Sequence, residues 1–247
     1  RLKLNFLSKD MEDSIRLEND SLILDAGLTV TDLMNSVVLS NFFPQIKGYL
    51  KLFGSHQIRN RATLGGNIVN ASPAADLVNI LLAMDSTLVI KDKEVREVAL
   101  KDFYLGYKKL NKTEDELVVK IKFPVPEAGY FFNYEKVSRR VHLDIASVNS
   151  SIYLKAEGGF IKDINISAGG VAPVPLYLKE TVSFLKGKEV TFENIHHAAL
   201  TAEGEISPIS DIRGSREYKR LLLRQLIFAH FQKFSPELIE SPEMLLT

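Results

Sequence analysis

The chain predicts an α+β fold built as two successive units, and three observations carry that prediction. Apolar residues recur at helical spacing in "AADLVNILLAM" (74–84) and again over 217–231, where Tyr218, Leu221, Leu222, Leu226 and Ala229 fall on one face. Short apolar runs flank tight turns: 87–90 and 94–99 around a charged turn, 144–156 and 160–168 around "EGG" (157–159). Between these sets lies "FPVPEAG" (123–129), whose two prolines and glycine interrupt any regular element.

Each element follows in order. "SLILDA" (21–26) is a short apolar strand. Thr31 offers an N-cap for a helix through Leu39, and a second helix is expected over 44–53. The buried helix at 74–84 has Ser72 placed as its cap and Pro73 at its first position. "ELVVKIKFP" (116–124) reads as the strand that leaves the first unit. Past the break come strands at 130–137, 144–156 and 160–168, then helices at 179–185, 192–201 and 217–231. The expected units are 1–126, mixed α and β, and 127–247, a sheet with helices on one face.

Bulk properties remove several classes of function. With 31 basic and 31 acidic residues, the chain has no positive surplus for nucleic acid or an anionic membrane. Apolar runs such as 80–83 are far too short to span a bilayer. There is no cysteine, so thiolate-held iron–sulfur clusters, disulfides and cysteine nucleophiles are excluded from this chain. A reducing, cytoplasmic location is expected. The five histidines are scattered without metal-ligand spacing, so no metal site is expected.

One segment is unusual. "ATLGGNIVNASPAADL" (62–77) sets a Gly-Gly pair and a helix start close together, with little that is bulky between them. Gly65 and Gly66 lack Cβ, so positive φ and close approach of a ligand to their amides are expected. Thr63, Asn67, Asn70 and Ser72 supply neutral hydrogen-bonding groups, and the helix start adds free N–H groups. The set suits a pyrophosphate and a sugar, with Asp76 accepting from a ribose-type hydroxyl. An ordinary turn before a capped helix fits the same residues. The segment is neither G-x-G-x-x-G nor a P-loop, so nucleotide hydrolysis is not expected.

"IRNRATLGGNIVNASPAADL" resembles the second flavin motif of the FAD-binding domain of molybdenum hydroxylases, the xanthine dehydrogenase family. "DFYLGYKKLNKTEDELVVKIKFP", "YEKVSRRVHLDIASVN", "AGGVAPVP" with "KETVSFLKGK", and "SDIRGSREYKRLLLRQL" resemble further blocks of that family, in the same order. "ASPAADL" is more similar to xanthine dehydrogenases than to carbon monoxide dehydrogenase medium subunits. The resemblance implies a PCMH-type FAD-binding subdomain over 1–126 and a CO-dehydrogenase-flavoprotein C-terminal-like subdomain over 127–247. It places Ala62, Thr63, Gly65, Gly66 and Asn67 along the FAD pyrophosphate and ribityl chain. Asn70, Ser72 and Asp76 would hydrogen-bond the cofactor, while Phe53, Val69 and Val118 would make apolar contact. Lys136 and Asp144 would lie in a loop beside the flavin ring with Arg139 and Arg140, where a cation stabilises the reduced ring. Arg139 and Arg140 read equally well as a solvated basic pair, and His142 as a loop residue rather than a catalyst.

The family's glycine-rich first flavin motif is expected before Arg1. The iron–sulfur clusters and the molybdenum cofactor are expected on other domains or subunits. In the implied mechanism, electrons from a purine or another heterocycle pass through iron–sulfur centres to FAD and then to NAD⁺. No side chain of this chain is expected to be an acid or base catalyst. The resemblance implies a hetero-oligomer or a dimer. Two alternatives stand beside it: a medium subunit of carbon monoxide dehydrogenase type, and a scaffold module with a vestigial flavin site.

Overall fold

The computed structural model describes residues 14–238. The outer ends of the two expected units, 1–13 and 239–247, lie outside the described residues. The first unit opens with a hairpin, β1 (Ile15–Glu18) and β2 (Ser21–Asp25). Six helices follow: α1 (Val30–Asn35), α2 (Val37–Phe42), α3 (Ile46–Lys51), α4 (His56–Arg59), α5 (Leu64–Asn70) and α6 (Asp76–Ala83). The chain returns as β3 (Thr87–Lys91) and β4 (Val95–Ala99), a small pair β5 (Tyr104–Gly106) and β6 (Lys109–Leu110), and β7 (Leu117–Pro124). β1, β2, β7, β3 and β4 form an antiparallel sheet in that order.

The second unit begins with β8 (Phe131–Val137), β9 (Val148–Glu157), β10 (Phe160–Gly169) and β11 (Leu176–Tyr177), again antiparallel, in the order β11-β10-β9-β8. Gly158 and Gly159 turn the β9–β10 hairpin with φ of 58° and 82°, which glycine adopts without a Cβ clash. Then come α7 (Lys179–Leu185), α8 (Phe192–Glu205) and α9 (Arg216–Phe234). Thr191 and Ser215 cap α8 and α9 through their hydroxyls.

Alternation along β9 and β10 sorts side chains to two faces. Val148, Ile152, Leu154, Ile164, Ile166 and Ala168 pack with Leu223, Ile227 and Phe231 in the second core. The opposite face meets α6, whose residues from Leu77 to Ala83 are all buried. That is why "LVNILLA" has no exposed polar side and Asn79 is its one polar residue: the helix belongs to the first core and is covered by the second sheet. The second unit's own helices do lie on one face of its sheet, as expected, and a helix of the first unit covers the other.

Two caps also differ from expectation. Thr29, not Thr31, caps α1, in a reciprocal box with Asp32. α6 starts at Asp76 after Ala75 and has no side-chain cap, so Ser72 and Pro73 are loop residues. That loop is tied to the second unit, where the Gly170 N–H donates to the Pro73 carbonyl at 2.8 Å.

Candidate functional site

The segment 62–77 forms α5, a short loop and the start of α6. Gly65 and Gly66 sit in the first turn of α5, and neither has positive φ. The Gly65 N–H donates to the Ala26 carbonyl at 2.8 Å, and the Gly66 N–H to Thr63 Oγ1 at 3.1 Å. A Cβ at residue 65 would lie 2.8 Å from Ala26 Cβ and 3.1 Å from the Ala26 carbonyl oxygen. The first glycine is thus required because α5 packs directly on the chain leaving β2. This corrects the expectation that the pair offers bare amides to a phosphate: both N–H groups are satisfied within the protein. The left-handed residue is Ala71, at φ 50°, where α5 ends.

Beside this segment lies an open groove of about 550 Å³. Phe53, Asn67, Asn70, Ser72, Asp76 and Asp144 line it, together with Arg140, Leu143 and Ile145. Three separate stretches of sequence are thereby brought together, one of them from the second unit. A second cavity of about 600 Å³ shares Asn70, Ser72, Ala74 and Ile145 with the first. Tyr107, Lys108, Ser147, Arg213 and Lys219 add to its wall.

Asp76 is the most heavily bonded of the groove residues. Its Oδ1 accepts from Tyr134 Oη at 2.6 Å and Asn149 Nδ2 at 2.7 Å, and its Oδ2 from Lys136 Nζ at 2.8 Å. The Lys136 side chain is only 4% exposed and also donates to the Leu52 carbonyl, one residue before Phe53. Burial, then the neighbouring carboxylate, push the Tyr134 phenol well above its ordinary pKa, so it remains a neutral donor. Asp144 accepts from the Arg140 and Ile145 amides, both at 3.0 Å. Those contacts, the Arg140 amide first, hold its carboxyl below the usual range.

The remaining expected site residues lie elsewhere. Ala62, Thr63, Gly65 and Gly66 line neither cavity; Thr63 caps α5. Val69 is 39% exposed on α5 but outside both linings. Val118 is a core residue paired with Ile90 in the first sheet, which corrects its placement against a ring. Lys136 is on β8, not in a loop, and its ammonium is engaged by Asp76 rather than free. Sequence reasoning missed Tyr134, which alternation could have found, since it lies two residues before Lys136 on the same face of one strand. Asn149 and Tyr107 had no comparable signal.

The groove fits an extended polar ligand with an aromatic end. Among the described residues, the buried Asn67 Oδ1 has no hydrogen-bond partner. Phe53 provides a ring at the wall, and the uncapped amino end of α6 borders the groove through Ala74, Ala75 and Asp76.

Comparison with known proteins defines the class. Residues 10–126 match the FAD binding domain in molybdopterin dehydrogenase, and residues 132–234 match the CO dehydrogenase flavoprotein C-terminal domain. The chain belongs to this flavoprotein family of the molybdenum hydroxylases and is an FAD-binding module of it. It is 30% identical to the glyceraldehyde dehydrogenase medium chain of Sulfolobus acidocaldarius, over 82% of this chain and 72% of that one. It is 31% identical to xanthine dehydrogenase of Oryza sativa subsp. japonica, over 82% of this chain but 16% of that much longer protein. Carbon monoxide dehydrogenase from Hydrogenophaga pseudoflava superposes with a TM-score of 0.85 at 29% identity, over 88% of this chain and 76% of that one. These relatives are oxidoreductases. Their identities do not separate the xanthine dehydrogenase type from the medium-chain type. Among the described residues, no helix is long and apolar enough to cross a membrane.

Proposed function

We propose that this chain holds FAD in the groove between α5, α6 and the 140–145 loop, as the electron-transfer module of a larger molybdenum hydroxylase. One observation carries the placement: Phe53, Asn67, Asn70, Ser72, Asp76 and Asp144, all six expected at the cofactor, converge on this groove. Phe53 would pack on the ring system, and Asn67, Asn70, Ser72 and Asp76 would hydrogen-bond the polar chain. Asp144, fixed by two amides, would anchor the loop alongside. Val69 and the α5 amino end, with Ala62, Thr63, Gly65 and Gly66, would act from behind by shaping the wall. When bound, FAD supplies the redox chemistry that joins one-electron iron–sulfur donors to a two-electron acceptor. The side chains' task is to bind, orient and exclude water.

The reading extends to the acceptor. The second cavity opens onto the same wall, and Lys108 and Arg213 bring positive charge to it. It is the place where NAD⁺ would approach a flavin held next door. The division into units at 126/127, partners bearing iron–sulfur and molybdenum centres, and a cytoplasmic setting belong to the same proposal. A medium subunit of carbon monoxide dehydrogenase type is a second reading, favoured by the TM-score of 0.85.

FAD titration of the full-length protein tests the site. Saturable uptake with a flavin absorption band is expected, and Asn67→Ala should weaken it by about 1–3 kcal/mol. A preparation that stays colourless with excess FAD removes the reading and leaves the scaffold alternative. Reduction of NAD⁺ by the substrate-reduced holoenzyme tests the acceptor separately.

A further inference from the structure

Asp76 belongs to the first unit by sequence, yet among the described residues every side chain that donates to it comes from the second: Tyr134 and Lys136 on β8, Asn149 on β9. A carboxylate has about four acceptor positions. Two are used on Oδ1 and one on Oδ2, which leaves one acceptor position on Oδ2, on a side chain that lines the groove. Lys136 balances the charge, so the groove meets a directed acceptor without a net negative charge beside an electron-rich ligand. Tyr134 and Asn149 do not line the groove themselves. Asn149 is held in turn by Asn79 Nδ2, at 3.0 Å to its Oδ1.

We propose that Tyr134 and Asn149 are positioning residues, reaching across from the second unit to fix the Asp76 carboxylate, so that the binding groove is complete only when the two units are docked. This rests on reading the groove as the FAD site. A rotatable carboxylate at the first position of a helix would otherwise face the ligand in many orientations. Two hydrogen bonds to one oxygen and an ion pair to the other leave a single one. The second unit thereby acts on the ligand without touching it at these positions.

Tyr134→Phe removes one hydroxyl and keeps the ring. In the full-length protein it should weaken FAD binding by about tenfold. It should also shift the flavin absorption bands of the bound form, which a stability loss alone would not do. Ser150→Ala is the control. Ser150 is buried one residue from Asn149, points to the other face of the sheet and donates to the Ser167 carbonyl at 2.9 Å. It should lower the apo-protein's melting temperature while leaving FAD affinity within about twofold. Wild-type affinity and spectrum in Tyr134→Phe would overturn the proposal, as would equal weakening by Ser150→Ala. Failure of the wild type to bind FAD would instead sink the flavin reading beneath it, and the wild-type titration tells the two apart.

Discussion

The two faces of the second sheet are built on different chemistry. Toward α7, α8 and α9, the strands present Val148, Ile152, Leu154, Ile164 and Ile166, none more than 1% exposed. Toward α6 they present Asn149, Ser151 and Ser167, equally buried, and meet Asn79 there. Ser167 Oγ donates to Asn79 Oδ1 at 2.9 Å, and Asn79 passes the chain on to Asn149 and so to Asp76. Apolar contacts are non-directional and give stability in proportion to area. Hydrogen bonds in a dry interface add little net energy but are costly to misplace, so they specify one docking geometry. The face that borders the groove is the one that fixes geometry.

That contrast can be broken from either side. The largest effect is expected on the apolar face: Phe228→Ala should cost about 3–5 kcal/mol in denaturant unfolding, with FAD affinity of the folded fraction unchanged. Next is His230, fully buried on that same side, with Asn133 Nδ2 at 2.8 Å from its Nδ1. Burial pushes its pKa down to about 4 from 6.5. The unfolded chain therefore binds the proton first, and the stability this neutral histidine contributes is complete above pH 6.5. It is lost as pH falls toward 4, by up to about 3 kcal/mol. His230→Leu should flatten that slope in a pH series of melting curves.

On the polar face, Asn79→Ala strands the Asn149 amide oxygen and should cost about 1–3 kcal/mol. Unlike Phe228→Ala, it should also weaken FAD. Equal FAD affinities in the two variants would erase the distinction between the faces. Gly65→Ala forces a Cβ onto Ala26 and should cost about 1–3 kcal/mol through strain between α5 and the end of β2. The smallest effect is Thr63→Ala, about 1 kcal/mol for the lost α5 cap, read by the same unfolding curves.

Much of the fold was legible. The 179–185 helix was read with its observed ends, and the 157–159 turn fell where Gly158 and Gly159 carry positive φ. α5 was not legible, because its two glycines read as a turn by every local rule. Residue 65 is glycine because Ala26, just past β2, comes too close for any side chain there, a contact between segments nearly forty residues apart. The groove was half legible: Phe53, Asn67, Asn70, Ser72, Asp76 and Asp144 line it, whereas Val118 and Lys136 took other roles.

Sequence alone determined the alternation that puts Tyr134 and Lys136 on one side of β8, the largely apolar run of α6 broken only by Asn79 between Leu77 and Ala83, and the likeness to a flavoprotein family. Those are properties of neighbours along the chain, set by periods of two and 3.6 residues. Tertiary structure decided which amides were already satisfied and which donors surround Asp76. A hydrogen bond is settled within tenths of an ångström between groups that only folding brings together. For that reason the glycine pair lost its expected role as a phosphate cradle, while Asp76 gained three partners from the second unit.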